Sequence, residues 1–415
     1  LRVLIATDHF PPFIGGAHRQ AQLIATAMAE RGHDVAVATP WHGGLPRREE
    51  REGFAVHRVR QMRTLIPALV RDRRQRHQPP FPDPVSVRDL RKLMREFEPD
   101  LIHAYGWLAF SVAAALGRRR TPMLVSARDY GYFCATRTLV RKGEPCDGPS
   151  PGKCLGCAAD YYGAPKGWIA ALGVQLSKPV LARKMTALHS VSSYVEAVTL
   201  EHVGKPRALS LTIPSFQATQ PPAPGAKKAD VEAWLARLPA EPFILFVGAF
   251  RKVKGLETLF AAYRRLDSPP PLVLMGTFER DSPEDFPDEA VVLTDVPNEA
   301  VMAAWPRAMF GVMPSLWPEP LGATVSEGMS KGRPVIGTEP GGHTDMLTAD
   351  TGLLVPQGDV AALTAAMEKL IGDAEGRARL GAAAAERAKQ FAAPAVIPRL
   401  EQAYRETIAG AQASD

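Results

Sequence analysis

The sequence predicts an α/β protein built as two doubly wound, Rossmann-like halves, and three observations carry that prediction. Runs such as "RVLIAT", "VAVAT", "DLIHA" and "MLVSA", then "FILFVG", "LVLMG", "VVLTD" and "PVIGT", are apolar at nearly every position, as strands covered on both faces must be. Helical patterns alternate with them. "RVLIAT" leads through a loop with Gly15 and Gly16 into a helix carrying Leu23, Ile24, Ala27 and Met28, and then, past Gly32, into the next strand, which makes one βαβ unit. Third, "IPSFQATQPPAPGAKK", Ile213 to Lys228, is rich in proline, alanine and polar residues and reads as a linker.

These boundaries give a first domain at 1–212, a linker at 213–228, a second domain at 229–393 and a final segment at 394–415. In the last, Val396, Leu400, Tyr404 and Ile408 recur every four residues, so it should be a helix with one apolar stripe. At 415 residues the chain can hold two ordinary domains, and 46% hydrophobic with 23% charged residues describes a globular protein. No apolar run of about 18 residues is present. A start directly in "RVLIAT" makes cytoplasmic residence the expectation. A net charge of +6 does not argue for nucleic acid as a partner. Seven arginines and one aspartate lie between Arg58 and Arg76, so the 58–76 segment is either a solvated basic face or a peripheral contact to the inner face of an anionic membrane.

The stretch "PSLWPEPLGATVSEGMSKGRPVIGTEPGG", Pro314 to Gly342, holds the densest chemistry. Pro318 and Pro320 turn the chain around Glu319. A helix follows with Leu321, Val325 and Met329 on one side, and Gly332 and Pro334 stop it. Leu321, Gly322 and Ala323 would then offer unpaired backbone N–H groups to a phosphate at the positive end of the helix dipole. Glu327, roughly 7 Å further along the axis, suits a pair of ribose hydroxyls. Glu319 would face whatever the phosphate carries, and a sugar nucleotide fits that order. In "FVGAFRKVKGLETL", Arg251 and Lys254 sit on a basic loop after a strand, placed to face a diphosphate. No D-x-D triplet occurs, so fixed cations and the helix dipole must serve the diphosphate, and no catalytic metal is expected.

Four cysteines complete the inventory: Cys134, Cys146, Cys154 and Cys157, spaced C-x11-C-x7-C-x2-C within 134–157. They lie in a Gly-, Pro- and Lys-rich loop with no apolar pattern of its own. A structural Zn²⁺ is the expected staple, with disulfides, an iron–sulfur cluster or unconnected thiols as the alternatives.

The Pro314–Gly342 stretch resembles the EX7E signature of the family-four retaining glycosyltransferases through Glu319, Pro320, Gly322, Glu327, Gly332, Pro334, Val335, Gly341 and Gly342, with Leu321 where phenylalanine is usual. Gly248, Lys254 and Gly255 fit that family's G-R-L-x-x-x-K-G pattern, but Ala249 replaces its arginine, and Arg251 is the stand-in. "FPPFIGGAHRQ" is similar to the family's glycine loop, which implies that Gly15 and Gly16 bring backbone donors to the β-phosphate. His103 matches the first histidine of the family's H-x-H, with Tyr105 in place of the second, and Arg128 and Asp129 in "SARDYGYFC" fall where one branch has H-D.

The resemblance implies the GT-B architecture, two domains facing a central cleft, with the C-terminal helix crossing back to the first domain. It also implies transfer of a sugar from a nucleotide-sugar donor to an unidentified acceptor with retention of configuration. On that reading Glu319, Lys254, Arg251 and His103 are catalytic. Gly15, Gly16, Leu321, Gly322, Ala323 and Glu327 bind the donor, and Tyr105, Arg128 and Asp129 lie on the acceptor side. A sugar-nucleotide epimerase or a phosphorylase would share the fold, and a non-catalytic nucleotide-sugar-binding scaffold is the alternative of another class.

Overall fold

A computed structural model describes residues 1–12, 16–51, 53–65, 78–216 and 228–413. The first ten strands are β1 (Arg2–Ala6), β2 (Asp34–Pro40), β3 (Arg48–Arg51), β4 (Phe54–Val59), β5 (Leu101–Tyr105), β6 (Met123–Ala127), β7 (Val140–Arg141), β8 (Glu144–Pro145), β9 (Ala187–Ser190) and β10 (Leu209–Thr212). Eight of them form one sheet in the order β10-β9-β6-β5-β1-β2-β4-β3, parallel except for the antiparallel β3–β4 pair. Six more follow: β11 (Phe243–Val247), β12 (Leu272–Gly276), β13 (Val291–Thr294), β14 (Ala308–Val312), β15 (Val335–Glu339) and β16 (Gly352–Pro356). They pair in the order β13-β12-β11-β14-β15-β16, parallel throughout.

The apolar runs explain why these segments are central. Every residue of β5 and β6 is buried, and β11 is buried from Phe243 to Phe246. A strand covered by helices on both faces has no solvent side to leave polar. In the second sheet, Phe246, Phe250, Leu259, Phe260, Leu274 and Phe310 form the centre of one continuous apolar cluster.

Tertiary contacts divide the chain into two compact units. One comprises Leu1–Leu139, Asp147–Pro214 and Val396–Asp415, and the other Val140–Cys146 and Ser215–Ala395. The first unit thus includes most of the last helix, Ala393–Ala413. Tyr404 sits in its interior with its hydroxyl 2.8 Å from Nδ1 of His103, and Arg399 donates to the Thr212 carbonyl at 2.9 Å. Glu401 accepts from Arg31 and Arg405, and His33 Nε2 lies 3.3 Å from its Oε1. Hydrogen bonds from Arg405 and Arg31 hold its carboxyl down at about 2, against a smaller opposing effect of burial. Most of the expected linker, residues 217–227, lies outside the described residues.

The cysteine segment differs from expectation. Residues Pro151–Tyr162 are a helix, started by Ser150 and Pro151, and it carries both Cys154 and Cys157. It packs on the following helix, Lys166–Lys184, so closely that a Cβ on Gly167 would lie 2.2 Å from the Ala158 carbonyl oxygen. The zinc site is not found: among the described residues no group of three or more His, Cys, Asp or Glu could hold a metal ion. None of the four cysteines is in a disulfide. Packing on the following helix holds the part of the segment that carries Cys154 and Cys157, where a metal was the expected staple.

Candidate functional site

In the second unit the strand order reverses direction between β11 and β14, which run side by side in parallel. Loops leaving the carboxyl ends of two such strands splay to opposite faces and open a crevice, the usual ligand position in an open α/β sheet. After β11 the chain makes a 3-10 turn, Lys252–Lys254, and Gly255 in the left-handed region starts the helix Leu256–Tyr263. After β14 comes the proline-bounded loop that holds Ser315 and Glu319. Leu316 N–H donates to the Val253 carbonyl at 2.9 Å, which ties the two loops together.

Across this join Lys254 Nζ meets Glu319 Oε1 at 2.5 Å, and Ser315 Oγ donates to the same oxygen at 2.7 Å. The ammonium also lies 5.1 Å from the centre of the Trp317 ring. Glu319 is 8% exposed. Burial opposes its ionisation, but the Lys254 charge with the hydrogen bonds from Lys254 and Ser315 outweighs this and holds the carboxyl below its ordinary value. Among the described residues, Oε2 takes no hydrogen bond. Arg251, expected beside Lys254, points its guanidinium Nε at Asp281 Oδ1, 3.1 Å away.

The helix after Glu319 runs Ala323–Ser330, with Val325 and Met329 wholly buried beneath it. Gly322 caps it at φ +93°, so Leu321, Gly322 and Ala323 form the turn into its first residue. Glu327, half-buried, stands in its second turn. The glycine pair of the motif has a steric reason. A Cβ on Gly342 would sit 2.2 Å from the Pro320 carbonyl oxygen, and Gly342 N–H donates to the Glu319 carbonyl at 2.6 Å. Side chains there would push the Glu319 loop off its support.

One residue the sequence reading missed is His343, which directly follows that pair. It is 1% exposed. Its Nδ1 accepts from Thr338 N–H at 3.0 Å, which leaves the proton of the neutral ring on Nε2. Burial lowers its pKa to about 4, so the ring is neutral near pH 7. The Nε2–Cδ2 edge lies against Gly322, where a Cβ would come within 2.6 Å of both atoms. A buried imidazole therefore presents an N–H at the start of the Ala323–Ser330 helix. A lone histidine after two glycines gives no signal in sequence.

In the first unit the strand order reverses between β1 and β5, again parallel neighbours. A polar pocket opens past the ends of β1, β5 and β6, lined by Asp8, Tyr105, Ser126, Arg128, Asp129, Tyr132 and Arg137 among others. Asp8, also missed, accepts from the N–H groups of Trp107 at 3.0 Å and Leu108 at 2.7 Å, at the start of the Leu108–Leu116 helix. Burial raises its pKa, offset in part by Arg137. Asp129 accepts from Arg137 Nε at 3.0 Å and from Gly131 N–H at 2.8 Å. The expected acceptor-side residues Tyr105, Arg128 and Asp129 do share this pocket.

His103 does not reach it. Its ring is 0% exposed, with Nδ1 3.1 Å from the Tyr105 hydroxyl and 2.8 Å from that of Tyr404. Burial, then His189 and Arg128, push its pKa well down. The imidazole joins a strand to the last helix, and an acid or base needs an exposed atom that it lacks. Gly16 opens the helix Gly16–Glu30, whereas Gly15 lies outside the described residues. In the arginine-rich segment, Arg58 is buried against Glu49 at 2.6 Å and Arg60 is paired with Asp89 at 2.7 Å. Residues 66–76 are outside the described residues.

Two units with parallel, doubly wound sheets, each with its polar residues at a strand-order reversal, are the parts of the GT-B fold. Residues 15–214 match the glycosyl transferase 4-like domain, and residues 232–387 match the glycosyl transferases group 1. Residues 232–387 thus carry a group 1 glycosyltransferase domain, and residues 15–214 a glycosyl transferase 4-like one. A sulfoquinovosyl transferase of Arabidopsis thaliana is 30% identical over 159 residues, 37% of this chain and 31% of that one. An O-antigen chain mannosyltransferase of Escherichia coli is 34% identical over 146 residues, 34% of this chain and 39% of that one. The match thus spans well under half of each of these relatives. Among solved structures, a sucrose-phosphate synthase of Thermosynechococcus elongatus has a TM-score of 0.70 at 22% identity, over 98% of this chain and 99% of that one. Anabaena HepE in complex with UDP has 0.67 at 16% identity, over 98% of this chain and 100% of that one. At these identities they support the fold.

Proposed function

We propose that this chain transfers a sugar from a nucleotide-sugar donor to an acceptor with retention of configuration. The observation that carries the reading is the pair of half-buried Lys254 and buried Glu319 at the β11/β14 reversal, beside the N-terminus of the Ala323–Ser330 helix. In the proposed complex the turn at Leu321–Ala323 takes the diphosphate, and Lys254 shares its charge between Glu319 and the departing phosphate. Glu319 Oε2 accepts from a donor-sugar hydroxyl, and Glu327 from the ribose. Arg251 would leave Asp281 to join the diphosphate. Gly15 and Gly16 remain assigned to the β-phosphate by the resemblance.

Fixed cations and the helix terminus neutralise the diphosphate in this reading. The first-unit pocket, with Tyr105, Arg128 and Asp129, holds the acceptor, and Asp8 and Arg137 position its walls. The leaving phosphate accepts the acceptor's proton on the same face of the sugar. Relatives named as sulfoquinovosyl and mannosyl transferases support the reaction class.

The test is a thermal-shift screen of UDP-, GDP-, ADP- and dTDP-sugars, followed by product analysis with the donor that binds. Release of nucleoside diphosphate with a glycoside of unchanged anomeric configuration is expected. An inverted product would remove retention, and conversion of the donor to an epimer without nucleotide release would replace transfer altogether.

A further inference from the structure

Among the described residues, seven large hydrophobic side chains are exposed, and five of them share one helix pair: Tyr161, Trp168, Ile169, Leu172 and Leu176. Leu176 is 74% exposed. On the helix Lys166–Lys184 the positions 168, 169, 172 and 176 fall on one side, at helical spacing. The other side, with Ala170, Ala171, Val174, Ser177 and Leu181, is already buried. An outward apolar ridge of more than two turns on a helix whose inner face is already packed marks a docking surface.

The charges around the ridge say what it meets. The helix carries Lys166, Lys178, Arg183 and Lys184 and no acidic residue, and its partner helix carries Lys153 and one exposed acid, Asp160. Lys184 Nζ donates at 2.5 Å to the carbonyl of Gly117, which lines a groove bearing Arg88, Arg91, Arg95, Arg118 and Arg119 and no carboxylate. A second copy of this chain would bring the same cations against these with nothing to offset them. Nucleic acid would suit the arginines but would leave the leucines and isoleucine in water. A surface that is anionic outside and apolar just beneath satisfies both features.

We propose that the helix Lys166–Lys184 lies in the interface of an anionic membrane. Trp168, Ile169, Leu172 and Leu176 enter the headgroup–acyl boundary, and the arginine groove holds lipid phosphates. No described helix is long and apolar enough to cross a membrane, so the contact is peripheral. Its residues are other than those of the arginine-rich 58–76 segment, and its partner is independent of the transfer reaction.

The experiment is co-sedimentation of the full chain with phosphatidylcholine vesicles, with and without about 30% phosphatidylglycerol. Binding to the anionic vesicles alone is expected, weakened strongly by salt. Leu172→Gln with Leu176→Gln should lower partitioning at least about tenfold, and each of Arg118→Gln and Arg119→Gln roughly fivefold. All four side chains are exposed, so melting temperatures should stay near wild type. A second readout needs no loss of binding. Brominated acyl chains should quench wild-type fluorescence more than that of Trp168→Phe. No binding to anionic vesicles would overturn the proposal. So would equal binding to neutral ones, or a concentration-dependent dimer that the leucine changes dissolve.

Discussion

At the scale of single residues, the Lys254–Glu319 pair is the point at which electrostatics and chemistry meet. Lys254→Ala should lower kcat by about a hundredfold or more, the cost typical of losing one donor aimed at developing charge. It also strands a buried carboxylate, so a melting curve must accompany the rate. Glu319→Gln keeps the shape and should slow transfer more than it weakens donor binding, whereas Glu327→Ala should raise KM at least as much as it lowers kcat. Equal, wild-type values for both glutamate variants would detach this segment from the donor. Gly322→Ala combines φ +93° with a Cβ 2.6 Å from His343, and should destabilise by roughly 1–3 kcal/mol. His343→Ala in the same chain relieves the clash and not the strain. A double-mutant cycle by denaturant melts should therefore show part of the loss recovered.

At the scale of elements, the cysteine-bearing helix tests packing against covalent or metal bonds. The crossing of Pro151–Tyr162 with Lys166–Lys184 depends on Gly167, whose Cβ position lies 2.2 Å from a backbone oxygen. Gly167→Val has to separate the helices and should cost more than about 2 kcal/mol. Cys154→Ser with Cys157→Ser leaves that crossing intact and should change stability far less. Thermal melts of the two variants decide the matter, and a larger loss from the cysteine pair would show that sulfur holds the segment. The sequence reading saw Gly, Pro and Lys among the cysteines and inferred a loop. It lacked the partner helix, whose small residues make a short, weakly apolar helix stable.

For the whole molecule, buried neutral histidines set the response to acid. His343 has its pKa lowered to about 4 and His189 to about 3, each through burial first, from an ordinary value of 6.5. The folded values are the lower ones, so between 6.5 and those values the unfolded chain binds the extra protons. Stability present above pH 6.5 therefore falls as the pH drops toward 4 and 3, by about 2 kcal/mol per histidine at pH 5. His103, also lowered by burial, acts in the same sense. Glu401 adds a later loss, since its stabilisation is present above the ordinary 4.5 and disappears as pH falls through about 2. Melting temperature should drop clearly between pH 7.5 and pH 5 in buffers of equal ionic strength, and a flat profile would contradict the assignment.

The sequence by itself determined what depends on local spacing. Apolar runs gave the inner strands β1, β2, β5, β6, β11, β12 and β15, because a strand covered on both faces has no polar positions, and also the edge strand β13. It missed β9, "ALHS", β10, "LSLT", and the edge strand β3, "REER", whose polar residues leave no apolar run to read. The Glu319 loop, the Gly322 helix start and the place of Glu327 were legible because prolines, glycines and a helical stripe are local marks. Tertiary structure alone decided which strands are neighbours, and that order sets each site. The reversal at β11/β14 brings Lys254 to Glu319, 65 residues away. The reversal at β1/β5 sets Asp8 against Trp107 and Leu108. Likewise His103 and Tyr404, 301 residues apart, make a contact that no spacing encodes. Partners so distant in sequence leave no periodicity between them, so only the folded chain shows which polar groups burial has joined.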